Sequence, residues 1–252
     1  MEGEVALCTQ GLTRHFEGLV AVNQVDLECR VGKLHAVIGP NGAGKTTLIN
    51  LLSGDLVPSS GRVFLRGSDV SGQPSHRISQ LGVGRSYQRS NVFMDFTVLE
   101  NCRLSAQSRL PSSFRFVRPA SAYRGIRDAA ERAIAAVELE ARADVCASAL
   151  SHGERRQLEL AMTLATAPCV LLLDEPLAGM GAEEAERMVA LLRRLGPGHA
   201  MLLVEHDMDA VFALADTLTV MVDGSVLASG TPAAIRANPQ VQDAYLGSVA
   251  DD

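Results

Sequence analysis

The 252-residue sequence predicts an α/β fold: a mainly parallel core sheet, a region of antiparallel strands beside it, and an inserted helical region. Three stretches carry this expectation. A glycine-rich loop at residues 39–47 stands between a short strand pattern and a helical one. A continuous apolar run, Cys169 to Leu173, ends in two acids, as a fully buried parallel strand does. Between them, from about Ser90 to Ala165, the apolar spacing is mostly helical. With 47% apolar residues the chain has ample material for a buried core.

Taken in order, Val5 to Thr9 and Val25 to Arg30 alternate apolar and polar residues and read as two half-buried strands. Phe16, in the intervening run Arg14 to Gly18, reads by itself as a core residue. Leu34 to Ile38 is a short strand, and it leads into Gly39-Pro40-Asn41-Gly42-Ala43-Gly44-Lys45-Thr46-Thr47. That loop fits G-x-x-x-x-G-K-[ST] at every fixed position. Its glycines let successive backbone N–H groups curl around a phosphate chain, and the helix from Thr46 to Leu52 adds its unpaired N–H groups and positive dipole end. Lys45 is then placed for the β- and γ-phosphates, and the Thr46 hydroxyl for Mg2+. Ser53-Gly54 stops the helix, and Arg62 to Gly67 is a further strand ended by a turn.

From Gln80 the pattern changes. Gly82 to Arg89 is strand-like, Thr97 onward is helical, Leu110 to Arg118 is a Pro-, Ser- and Arg-rich surface loop, and Asp128 to Leu139 is amphipathic, separated from the next helix by Ala141 to Ser148. Ser151 and Glu154 have the S-x-x-E spacing of a capping box, so a helix begins there. That spacing describes an ordinary capped helix; the same end also offers N–H groups to a second anion. After Cys169 to Leu173 come Asp174-Glu175-Pro176. Paired acids at a strand end occur as solvated turns, but with a phosphate loop upstream one can hold Mg2+ and the next can orient an attacking water. Helix Ala182 to Leu195 is closed by Gly196-Pro197-Gly198, and strand Ala200 to Val204 ends in Glu205-His206-Asp207. His206 reaches a γ-phosphate if its strand neighbours the Asp174 strand. Leu218 to Val222 and Ser225 to Ala228 form a hairpin around Asp223-Gly224, and Thr231-Pro232 starts a helix.

A net charge of −6 argues against a nucleic-acid partner, and the arginines between Arg103 and Arg127 read as a solvated face. Five cysteines with no C-x-x-C spacing indicate neither a disulfide framework nor a zinc site, and reduced thiols suit the cytoplasm. The N-terminus lacks a signal-peptide pattern, and no run of about 18 apolar residues is available to cross a bilayer. The chain is expected to be soluble by itself.

Together these stretches resemble the nucleotide-binding subunit of ABC transporters over essentially the whole chain. Leu150-Ser151-His152-Gly153-Glu154 resembles the family signature LSGGQ and stands a short distance before the Asp174-Glu175 strand. The resemblance implies a P-loop NTPase of the ABC nucleotide-binding-domain type. It would form a single domain over residues 1–252, with its core at about 1–89 and 166–252 and a helical subdomain at about 90–165. It also implies roles: Phe16 stacking on adenine, Gln88 linking the Mg2+ site to the helical subdomain, Asp174 on Mg2+, Glu175 as catalytic base, His206 as switch histidine, and Ser151, Gly153 and Glu154 at the phosphate. The substrate would be ATP, with Mg2+. His152 and Glu154 depart from the signature yet leave Ser151 and Gly153, so activity is expected to persist. Gly181 stands where many members carry an Asp that makes contact across the dimer.

In that family each ATP lies between the P-loop of one cassette and the signature of another. With one of each here, the resemblance implies a dimer with a second cassette, identical or, as favoured in the importers it resembles, different. It further implies two transmembrane permease subunits, an indirectly acting solute-binding protein, and a place on the cytoplasmic face of the inner membrane of a bacterial-type cell. Thr97 to Asn101, Leu177 to Met180, Val204 to Met208 and the tail from Gly230 to Gly247 look most like importers of branched-chain amino acids. Urea and amide importers and lipopolysaccharide-export ATPases share much of the pattern. A soluble ABC ATPase of translation or DNA repair would typically carry two cassettes or a long insertion. A P-loop switch or kinase would leave the signature and His206 without a role.

Overall fold

Two kinds of strand sort the chain into two sheets. The structure is a computed structural model that describes residues 3–86, 91–109 and 124–246, excepting the side chains of 244–246. The expected loop at 110–118 and the end of the strand-like stretch, 87–89, lie outside the described residues. Strands β1 (Val5–Phe16), β2 (Leu19–Val25), β3 (Glu28–Arg30), β5 (Ser60–Leu65) and β6 (Ser68–Asp69) pair antiparallel. The expected pair of strands is therefore three. β1 runs on to Phe16, and the second expected strand breaks at Asp26-Leu27.

The other sheet, among the described residues, has the order β11-β10-β4-β9-β8-β7. Here β4 is Leu34–Ile38, β7 Val83–Arg85, β8 Val170–Asp174, β9 Ala200–Val204, β10 Thr217–Val222 and β11 Ser225–Gly230. All but β11 run parallel to their neighbours. β4, β8 and β9 are buried at every position. A strand covered on both faces must be apolar on both, as β9 is throughout and β8 is up to Asp174; in β4 only His35 interrupts the run, and both its ring nitrogens have partners, Glu28 O and Thr219 Oγ1.

Alternate residues of the parallel strands enter two different cores. Leu171, Leu173, Met201 and Leu203 pack with the helices α3 (Val98–Gln107), α4 (Arg124–Ala136), α5 (His152–Ala165), α6 (Ala182–Leu195) and α7 (Met208–Leu214). Val170, Leu172, Leu202 and Val204 pack with α1 (Lys45–Leu52), α2 (Ser75–Leu81) and the antiparallel strands. Two short helices, α8 (Pro232–Arg236) and α9 (Pro239–Leu246), follow the β10–β11 hairpin. Its turn has Asp223 at φ 47° and Gly224 at φ 78°, both positive as a type I′ turn requires. Two single 3-10 turns, Glu140–Arg142 and Ala147–Ala149, lie at the two ends of the stretch Ala141 to Ser148. No described helix is long and apolar enough to cross a membrane, and all five cysteines are free thiols.

Candidate functional site

Three strand ends build the site. Val204 of β9 is in register with both Val37 of β4 and Asp174 of β8, so three parallel strands finish at one level. Ligands of open α/β sheets bind beyond such carboxyl ends. This is the neighbourhood that His206 required.

From β4 the chain turns through Gly39 to Gly44 into α1. Gly44, the N-cap, sits at φ 95°, and a Cβ there would lie 2.2 Å from the Ala21 carbonyl oxygen of β2. Only glycine passes so close in that conformation. No side chain caps α1, which leaves its first N–H groups to an anion. Lys45 Nζ donates to the Gly39 and Pro40 carbonyls at 2.6 and 2.9 Å. An ammonium has three donors, so one remains for a phosphate. Burial holds the Lys45 pKa below its usual value, and the charges of Glu175 and Asp174 oppose that shift. The P-loop and the two acids thus share one electrostatic field. Asn41 and Thr46 are exposed, while Pro40 and Thr47 are half-buried.

Asp174 is buried at the end of β8. Neither carboxylate oxygen has a hydrogen-bond donor among the described residues, although the Arg85 guanidinium lies 3.5 Å from Oδ2. Burial pushes its pKa up, and Arg85 opposes the shift. Two bare carboxylate oxygens and the Thr46 hydroxyl are an all-oxygen donor set that fits a hard cation such as Mg2+. No three His, Cys, Asp or Glu side chains form a metal cage among the described residues. The donors therefore suit a cation that shares its shell with phosphate oxygens, as Mg2+ does in ATPase sites.

Glu175 follows with its backbone in the left-handed region, φ 51°, where a non-glycine residue costs roughly 1–2 kcal/mol. Its N–H donates to Val204 O at 2.9 Å, which ties it to β9. His206 Nδ1 stands 4.0 Å from Glu175 Oε1 and 3.8 Å from Glu205 Oε2, beyond hydrogen-bond range of both, and its ring is largely exposed. Glu205 is wholly buried. Its Oε1 accepts from Leu177 N–H at 2.8 Å and its Oε2 from His206 N–H at 3.1 Å. Burial raises the Glu205 pKa against those bonds.

Ser151 caps α5 with both bonds of the capping box: Ser151 Oγ accepts from Glu154 N–H at 3.1 Å, and Glu154 Oε2 accepts from Ser151 N–H at 2.8 Å. Arg142 Nε donates to Glu154 Oε1 at 2.8 Å. The Ser151 N–H and, after it, Arg142 hold the Glu154 carboxyl below its usual range. The Gly153 N–H donates to Glu184 Oε1 of α6 at 3.2 Å. Ser151, Gly153 and Glu154 thus form one cluster, and among the described residues no hydrogen bond or ion pair joins it to the P-loop.

Phe16 is 38% exposed at the end of β1, with the Arg14 guanidinium 4.6 Å from its ring centroid. That corrects its reading as core. Its strand partner β2 is the one that passes Gly44. Gln88 lies outside the described residues.

Three residues that the sequence did not single out support the acids. Arg85 bridges Asp55, Ser53 and Asp174, Ser86 Oγ accepts from Asp174 N–H at 3.3 Å, and Glu205 clamps the loop after Glu175. Nothing in spacing marks them, since each role depends on which strand lies alongside. The one available hint was an acid immediately after five apolar residues, at Glu205.

The family description "ABC transporter" matches residues 22–178, and "Branched-chain amino acid ATP-binding cassette transporter" matches residues 225–251. The chain is 40% identical over 245 residues to the high-affinity branched-chain amino acid transport ATP-binding protein BraF of Pseudomonas aeruginosa, covering 94% of this chain and 96% of that one. It is 38% identical over 248 residues to the corresponding LivG protein of Escherichia coli, covering 96% and 97%. The crystal structure of the ADP conformation of an ATP-binding cassette of an ABC transporter superposes with a TM-score of 0.86 at 27% identity, covering 98% of this chain and 99% of that one. By family match, identity and fold alike, the chain belongs to the ATP-binding cassettes of ABC transporters.

Proposed function

We propose that the chain is the ATP-hydrolysing subunit of a membrane importer for branched-chain amino acids. The observation that carries the hydrolytic part is the common level reached by the P-loop, Asp174-Glu175 and His206 on three adjacent parallel strands. The transported solute is supported by identity over nearly the whole chain to two cassettes named for branched-chain amino acids, and by the match of the tail.

In this reading the P-loop residues Gly39 to Thr47 wrap the phosphates, and Lys45 neutralises them. Thr46, Asp174 and Gln88 would hold Mg2+, which when bound spreads the charge of the phosphate oxygens. Glu175 takes the proton of the attacking water, and His206 contacts the γ-phosphate. Residues 1–252 act as one cassette, with a core at about 1–89 and 166–252 and a helical subdomain at about 90–165. Its partners are a second cassette, two permease subunits and, through them, a solute-binding protein, at the cytoplasmic face of the membrane.

The test is reconstitution with candidate permeases and solute-binding proteins. Stimulation of ATP hydrolysis by a leucine-, isoleucine- or valine-loaded binding protein is expected. Stimulation by a urea-loaded protein alone would overturn the solute.

Stacking of adenine on Phe16 gives a smaller effect. Phe16→Tyr should bind ATP as the parent does, because the ring face is kept. Phe16→Ala should lose affinity, by roughly 1–3 kcal/mol if this ring behaves like other base-stacking aromatics. Isothermal titration decides it, and unchanged affinity in Phe16→Ala removes the stacking role.

A further inference from the structure

The acid and the histidine of this site come from two different strands, and something must hold them in register. Glu205 touches both segments. One oxygen of its carboxylate accepts the N–H of Leu177, two residues beyond Glu175, and the other accepts the N–H of His206 itself. Pro176, between Glu175 and Leu177, has no N–H to offer, so Leu177 is the first residue of that loop that can be held in this way.

The carboxylate is wholly buried, and among the described residues no Arg or Lys pairs with it. Burying such a group is costly unless its lone pairs are satisfied. Two backbone N–H groups pointing from separate loops into one fork satisfy them. No neutral side chain of this size presents two acceptors on one rigid fork; an amide has one acceptor and one donor group.

From this geometry we infer that Glu205 is a positioning residue for hydrolysis: it fixes the left-handed turn at Glu175 and the backbone of His206 relative to one another. The inference rests on the assignment of Glu175 and His206 to the reaction. The turn at Glu175 is an uphill conformation, and its remaining ties are Glu175 N–H to Val204 O and Ala178 N–H to Glu175 O, at 2.9 and 3.2 Å. Without the Leu177 bond the loop can relax and swing the Glu175 carboxylate away from its place above β8. Misplacement of about 1 Å at a reacting group costs up to roughly 100-fold in rate. Nucleotide binding uses the P-loop, which Glu205 does not touch, so affinity should stay.

The test compares Glu205→Gln, Glu205→Asp and Glu175→Gln in the full chain. Glu205→Gln keeps the volume but sets an NH2 against one of the two N–H groups. Glu205→Asp keeps both acceptors on a stem too short to span them. Both are expected to lower kcat roughly 10- to 100-fold with KM for ATP unchanged. Both are also expected to speed amide hydrogen exchange at Leu177, His206 or both, about tenfold or more, in protein without nucleotide. Unchanged kcat or unchanged exchange overturns the inference, and so does a rise in KM alongside a general loss of thermal stability, which would mark Glu205 as structural only. Undiminished turnover in Glu175→Gln would instead remove Glu175 as the base, and amide exchange then reports on the clamp alone.

Discussion

Glu175→Gln is expected to cut ATP hydrolysis roughly 10²–10⁴-fold, the usual worth of a general base, while ATP still binds; Lys45→Ala is expected to abolish binding itself. The two side chains stand in the same electrostatic field but do different work. Lys45 lies at the first position of α1, on the loop that meets the phosphates, and its charge is the counter-charge of that loop. Glu175 lies on the far side of β9 and is held by backbone bonds that glutamine also makes, so the substitution leaves the left-handed turn in place. Its amide lacks only the capacity to take a proton from water. Equilibrium ATP binding and phosphate release separate the two roles. Equal loss of binding in both variants would sink the assignment.

Ser151→Arg is expected to abolish ATP-driven association with a partner cassette while the isolated chain binds ATP normally. Ser151 caps α5, which is joined to the P-loop by no hydrogen bond or ion pair among the described residues. In the proposed arrangement a phosphate at this helix end would come from a nucleotide carried on another cassette. Arginine replaces a compact acceptor at an exposed helix end by a long cation that fills the approach. Loss of the cap alone costs about 0.5–2 kcal/mol of helix stability, so nucleotide affinity of the isolated chain is the control. Size-exclusion of the Glu175→Gln background with its partner cassette reads the dimer. Weakened binding in the isolated chain would place Ser151 at its own nucleotide, and undisturbed ATP-dependent dimerisation would leave it an ordinary cap.

What could be read from the sequence is what a buried parallel sheet imposes on composition. β4 and β9 and helix α6 appear at both expected ends, because short, mostly apolar runs next to a glycine-rich loop or an acid, and Gly-Pro-Gly punctuation, leave little choice. The capped start of α5 was equally plain, since a capping box is a local arrangement. β2 was not legible: Leu19 and Val20 are both exposed and Asn23-Gln24 follow, so apolar and polar residues do not alternate along it. Helix α2 was missed because its seven residues lack a side-chain cap and bury only Ile78. At the site, the P-loop, the acid pair and His206 announced themselves by residue type and place. Arg85, Ser86 and Glu205 did not, because pairing across strands decides what each one faces.

Glu184 has a consequence for the signature end. Its carboxylate already holds the Gly153 N–H, so an incoming phosphate can take that donor only by substitution, one anion leaving as another arrives. The displaced carboxylate stays tethered to α6, so the incoming phosphate brings its negative charge in beside it and must overcome that repulsion. The released side chain belongs to the first turn of α6, the helix entered directly from the loop that follows Glu175. In the proposed arrangement, a nucleotide arriving at that end would free Glu184 from Gly153 and so remove one tie between α5 and α6.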